Sequence, residues 1–274
     1  MNPQLATDAA AAWPLEVFER SLKKRQKLEL LLTMVGPLED ELCLLLTCGD
    51  NTGALNVHFR EAGGRWSWAE MEADRIASIA SLLGDPVHHA SADELPFPDA
   101  RFDHVVVIDV HEHLRDVRPL NREIARVLAP GGRAVLTTPN GNPRLPLAVA
   151  KRVLGMSPEV YGHHVQGYTA EALEAMARAV GLVPEARGAY SRFFTEAIEL
   201  AINFAYVKML PRAVAEKPRE GEIAPSTSAD LERVGGAYRL YARLFPLLRA
   251  ISKLDRIVPG RGGYAVAIAA RRPR

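Results

Sequence analysis

The stretch LCLLLTCGDNTG, residues 42–53, decides the fold of this chain. A short run that is apolar on every residue, with no alternation, suits a strand buried on both faces, and the glycine-containing turn behind it opens a helical pattern through Leu55, Val57 and Phe59 to Gly63-Gly64. Read outward from there, the unit repeats. Arg65 to Ala69 predicts a second strand, Ala73 to Leu83 its helix, Val87 to Ala90 a third strand, and His104 to Ile108 a fourth, strongly β-branched one. Helical spacing over Leu120 to Leu128 is stopped by Pro130-Gly131-Gly132, and Arg133 to Thr138 gives a fifth strand. Thr169 is an N-cap for a helix running to Val180-Gly181, Val183 to Ala186 is a sixth strand, and Tyr264 to Ala270 a seventh. Strands alternating with helices predict an α/β fold, Rossmann-like, with a mostly parallel seven-stranded sheet and helices on both faces.

Two segments stand outside that rhythm. Trp13 to Val35 reads as one amphipathic helix with a basic face (Arg20, Lys23, Lys24, Arg25, Lys27), so residues 1–40 are expected to form an N-terminal helical region. Residues 193–261 fall where a hairpin turn would join the last two strands. They hold an apolar helical stretch (Ile198 to Leu210), a link rich in Pro, Glu and Ser (Pro211 to Ser228) and a second helical stretch (Leu231 to Val258), and so predict a helical subdomain inserted into a core of residues 41–192 and 262–274.

Composition narrows the function. The 274 residues are 48% hydrophobic and 24% charged, and 34 basic against 33 acidic side chains leave a net charge of +1, so no global field favours nucleic acid. Cys43 and Cys48, on a strand and an odd number of residues apart, face away from each other, which rules out a disulfide framework or a cysteine zinc site. Met1 to Ala12 lacks the basic start and apolar core of a signal peptide and reads as a frayed leader. No eighteen apolar residues run without a charge, so a cytoplasmic protein is expected, with room for peripheral contact at the inner membrane surface through the insertion. Within Tyr238 to Val258, apolar residues at helical spacing are interleaved with Arg239, Arg243, Arg249, Lys253 and Arg256, the pattern of a basic amphipathic helix or of a solvated lid.

In an open α/β sheet a ligand meets the carboxyl ends of the strands, and the first strand-to-helix turn, Thr47 to Gly53, is where backbone must come close to it. Glu70 ends the second strand at the distance where dinucleotide-type folds place an acid for ribose hydroxyls. These features are followed by SADELPFPDARFD (91–103), by DVHEH (109–113) and by REIARVLAPGGRAVLTTPN (122–140). In that order the set resembles the class I S-adenosylmethionine-dependent methyltransferases, especially the small-molecule branch with the ubiquinone-type O-methyltransferases, over Leu42 to about Ala186 and again over Tyr264 to Ala270.

The resemblance implies S-adenosylmethionine as cofactor. It assigns to its binding Thr47, Gly49, Asn51 and Gly53 in the glycine-rich turn, Glu70 at the ribose, Met71 beside the adenine, Ala92, Asp93 and Glu94 around the adenine amino group, and Asp109. Thr47 stands where the family has an acid and Asn51 where it has a glycine, and these departures motivate the alternative of a degenerate methyltransferase-fold binding or scaffold protein. Asp109-x-x-Glu112-His113 reproduces the spacing of a divalent-cation signature in the resembling enzymes, though no residue is assigned as a metal ligand. His113 and His164 are the candidate bases for an acceptor hydroxyl. The expected reaction is methylation of an oxygen on a small-molecule or lipid-like acceptor. Nucleic acid is not an expected partner, because no motif for a flipped base is present.

Overall fold

The computed structural model describes residues 13–49, 52–156, 163–209, 228–258 and 262–274. The leader expected over Met1 to Ala12, Asp50 and Asn51 of the glycine-rich turn, and nearly all of the polar link over 211–228 lie outside those residues.

Seven strands form one sheet in the order β3-β2-β1-β4-β5-β7-β6. They are β1 (Leu42–Thr47), β2 (Arg65–Glu70), β3 (Val87–His89), β4 (Phe102–Ile108), β5 (Leu128–Pro139), β6 (Val183–Tyr190) and β7 (Ala265–Arg271). Strands β1 to β5 pair in parallel, and β7 runs antiparallel between β5 and β6. The helices are α1 (13–19), α2 (Leu22–Val35), α3 (Ala54–Glu61), α4 (Ala73–Leu83), α5 (Arg118–Val127), α6 (Pro146–Val153), α7 (Ala170–Ala179), α8 (Phe193–Met209) and α9 (Ser228–Ser252).

The unbroken apolar run of β1 is explained by its cover. Leu44 and Leu46 enter one core, with Leu120 and Ile124 of α5 and Leu173 and Ala177 of α7. Leu45 enters the opposite core, with Leu31 of α2, Phe59 of α3 and Ile79 of α4. Cys43, Leu44, Leu45 and Leu46 are all fully buried, and each large side chain contributes about 1.5–3 kcal/mol of transfer free energy. Cys43 and Cys48 are buried and free. Burial pushes the Cys43 thiol up to about 12, which makes it a packing residue rather than a nucleophile.

Three expectations need correction. The single N-terminal helix is broken at Arg20–Ser21, because the Ser21 hydroxyl accepts the Lys24 amide and restarts the chain as α2. Strand β5 begins at Leu128, five residues earlier than expected: Pro130-Gly131-Gly132 lies inside it, with Gly131 at φ +80° and a register shift opposite Phe102/His104. Helix α6 was absent from the sequence reading altogether. Among the described residues no helix is long and apolar enough to cross a membrane.

Candidate active site

The parallel register brings Thr47, Glu70, His89, Ile108 and Thr137 to one level at the carboxyl edge of the sheet. Thr47 and Glu70 end their strands at this edge, the other described cofactor residues and His113 lie on the turns that leave it, and His164 lies on the loop 163–168 before α7. Gly49 and Gly53 both hold left-handed backbone, φ +76° and +88°, where a side chain would be strained. Gly53 also opens α3 against α4, and a Cβ there would sit 3.0 Å from Leu82 Cδ2.

Glu70 is fully buried, and its carboxylate organises the turn. Thr47 Oγ1 donates to Oε2 at 2.6 Å, while the amides of Gly49 and Glu72 donate to Oε1, each at 2.8 Å. Thr47 is thus more than a lost acid: it ties the end of β1 to the end of β2. Burial raises the Glu70 carboxyl above its ordinary range, against the lowering effect of Thr47 and the two amides. A carboxylate offers about four lone-pair sites, and three are taken inside the protein, so a bidentate contact to a ribose diol needs one of them released. Met71 after β2 and Ala92 after β3 are partly buried against the core, whereas Asp93 and Glu94 are exposed on a turn closed by the Ser91 amide donating to the Glu94 carbonyl at 3.1 Å.

After β4 the backbone tightens. Asp109 is non-glycine at φ +50°, a strain of about 1–3 kcal/mol that an Asp side chain tolerates better than most. It is held by an ion pair with Lys27 of α2; both side chains are nearly buried. The helical periodicity places Lys27 on the basic face of the N-terminal helix. Nothing in the periodicity separates it from Lys23 or Lys24, and only the packing of α2 over the sheet does so.

The turn His111–His113 is then clamped by the loop 163–168. The backbone carbonyl of Glu112 accepts the amides of His164 and Val165 at 2.9 and 3.4 Å, and its Oε2 accepts the Thr138 hydroxyl at 3.0 Å. Gly167 makes the docking possible: at φ +125°, a Cβ would lie 2.0 Å from the Pro139 carbonyl oxygen. The side chain delivered beside His113 is His163, with ring centroids 4.6 Å apart and edge to face, while His164 is exposed. Glu112, His113 and His163 can each present a ligand atom within 4.8 Å of the others. A cation held here would draw on these three, whereas the Asp109 of the sequence signature is engaged by Lys27. His111, given no role from sequence, is fully buried with Nε2 3.0 Å from Asn121 Oδ1; burial lowers its pKa despite that bond, so the ring is neutral.

A buried ionic group closes the edge from above. Glu196 of α8 meets Lys151 of α6 at 2.7 Å and Lys23 of α2 at 3.8 Å, and accepts the Ser191 hydroxyl at 2.5 Å. Burial pushes its carboxyl up, but the two lysines outweigh it and the net shift is downward. Gln26 adds a neutral link, donating to Thr195 Oγ1 at 3.0 Å and accepting the Ser191 amide at 2.9 Å.

Residues 46–136 match the family model described as a methyltransferase domain. A protein described as a probable S-adenosylmethionine-dependent methyltransferase of Mycolicibacterium smegmatis is 46% identical over 54 residues, 20% of this chain and 21% of that one. One described as a probable chloroplastic tocopherol O-methyltransferase of Oryza sativa subsp. japonica is 39% identical over 72 residues, 25% of this chain and 20% of that one. The chain therefore aligns with only about a fifth of the length of these curated relatives. The crystal structure of geranyl diphosphate C-methyltransferase from Streptomyces coelicolor, solved with Mg2+, geranyl diphosphate and S-adenosylhomocysteine, superposes with a TM-score of 0.55 at 15% identity, covering 91% of this chain and 79% of that one. That likeness speaks for the fold alone. Residues 46–136 thus match a methyltransferase domain in sequence, and the core around them has the fold of solved methyltransferases.

Proposed function

We propose that this protein transfers the methyl group of S-adenosylmethionine to an oxygen of a bulky, lipid-like small molecule. The observation that carries the cofactor part is the buried Glu70 carboxylate at the ends of β1 and β2, holding the Gly49 turn at the place where this domain type takes its cofactor. Glu70 faces the ribose, Met71 and Ala92 flank the adenine, and exposed Asp93 accepts its amino group. The cofactor supplies a methyl on a positively charged sulfur that leaves as a neutral thioether, so the chain's own work is alignment and proton removal. His113 takes the proton of the acceptor hydroxyl, with His163 edge-on against its ring to fix the orientation. Helices α8 and α9, within the insertion expected over 193–261, cap the carboxyl edge of a core made of 41–192 and 262–274. The names of two similar proteins, for tocopherol and for geranyl diphosphate, favour a hydrophobic acceptor.

One observation favours a second reading. Three internal donors on Glu70 leave little capacity for a ribose, which suits a fold that kept its turn and lost its ligand. Calorimetric titration with S-adenosylhomocysteine separates the two. Micromolar binding that Asp93→Ala weakens supports the enzyme; no heat from the wild type moves the assignment to a scaffold.

A further inference from the structure

Helix α9 carries two apolar stripes. The first packs inward, where the Tyr241 hydroxyl donates to the Arg20 carbonyl and Tyr241 meets Phe245 ring to ring at 5.9 Å. The second faces solvent. Leu240 is 59% exposed, Leu244 43% and Leu247 58%, and two more apolar side chains, Leu254 at 41% and Ile257 at 75%, are exposed on the 3-10 turn Lys253–Ile257 that follows the helix. Single exposed leucines are ordinary, but three along one helix face with two more apolar side chains on the turn behind it are not.

The charge around the stripe is one-sided. Arg239, Arg243, Arg249, Lys253 and Arg256 are all exposed. Asp255 is the one acid between Tyr238 and Ile257, and it is turned inward, accepting the amides of Phe194 and Thr195 at 2.7 and 3.2 Å at the start of α8. At 100° per residue, Leu240, Leu244 and Leu247 fall within one arc of about 60°, Arg239 and Arg243 lie on its flank away from the packed Tyr241 and Phe245, and Arg249 points to the opposite side of the helix. An apolar strip with cations on its outer flank matches the boundary of an anionic bilayer, where the leucines enter beneath the headgroups and the cations stay among the phosphates.

The position is also apt. Helix α8 leaves β6 at Tyr190, which pairs with Ala265 and so lies level with Pro139 at the carboxyl edge. The insertion therefore rises on the same side of the sheet as Thr47, Asp109 and His113.

We propose that the face from Leu240 to Ile257 docks the protein on anionic lipid bilayers. For its purpose, delivery of a lipid-like acceptor, this rests on the methyltransferase reading; the docking itself does not.

The test is co-sedimentation of the full chain with phosphatidylcholine vesicles, with and without phosphatidylglycerol, at low and high salt. Binding is expected to the anionic vesicles only and to fall with salt. Leu247→Glu with Ile257→Glu should weaken it by about a hundredfold, and Arg239→Glu with Arg243→Glu by tenfold or more. All four positions are exposed, so thermal melting and S-adenosylhomocysteine titration should match the wild type; that match separates a failure of docking from a failure of the cofactor reading. No binding to anionic vesicles overturns the proposal, as does binding that the variants leave unchanged or that neutral vesicles support equally. Self-association in place of vesicle binding, abolished by the same variants, would make the face a contact between copies and also overturn it.

Discussion

Replacing Glu70 by Ala and by Gln should produce two different proteins. Alanine removes the acceptor of three hydrogen bonds, those from the amides of Gly49 and Glu72 and from the Thr47 hydroxyl. Each buried group left unpaired costs about 1–3 kcal/mol, and since the three share one acceptor, a combined loss of about 3–5 kcal/mol is expected. That is a large part of the ~5–15 kcal/mol stabilising a typical domain. Glutamine keeps an oxygen for the two amides and lets the Thr47 hydroxyl turn to accept, so its cost should stay within about 1 kcal/mol. The sign of the pH effect follows from the raised pKa. Below the ordinary value of 4.5, Glu70 is protonated in both states and the wild type has its full contribution. As pH rises from there through the higher native value, the unfolded chain ionises first, and the wild type loses stability relative to Glu70→Gln until the native carboxyl ionises too. Urea unfolding across that range, read by the stacked Trp66 and Trp68 on the same strand, measures both effects. If Ala costs no more than Gln, or if the difference between Gln and wild type is flat with pH, the buried-anchor reasoning is refuted.

Lys27→Met should cost about 3 kcal/mol, because it leaves Asp109 with an uncompensated buried charge, and adding Asp109→Asn should recover most of it; urea unfolding of the three variants gives the coupling directly. Gly167→Ala should cost several kcal/mol in the same assay, since its Cβ would strike the Pro139 carbonyl, whereas Gly181→Ala, also at positive φ but with open space around it, should cost only about 1 kcal/mol. Equal effects would show that backbone strain alone governs both sites.

How far the chain could be read depended on whether a feature was periodic. Strands β1 and β4 were legible because both faces are covered, which makes every residue from Cys43 to Leu46 and from Val105 to Ile108 apolar. The start of β5 was hidden, because Pro130-Gly131-Gly132 reads as a stop and the sheet accommodates it by a positive φ and a register shift. Site residues on strand ends, such as Glu70, were recoverable from spacing. Those supplied by irregular loops were not: His163 and His164 are adjacent, and only the fit of Gly167 against Pro139 decides which of them turns inward. Lys27 and Lys151 were invisible for a related reason. Helical periodicity reports which residues can be solvated, not which solvated-looking cations another element will cover.

The place of β7 has a consequence for how this protein is made. It lies between β5 and β6, and β6 pairs with nothing else among the described residues. During synthesis the chain emerges with β1 to β5 able to assemble at once, but β6 has no neighbour until the whole of 193–261 has left the ribosome and β7 follows. For that interval one edge of β5 stands open and an entire strand is stranded, so the synthesis of 193–261 is when the nascent protein is most exposed to pairing with the wrong chain.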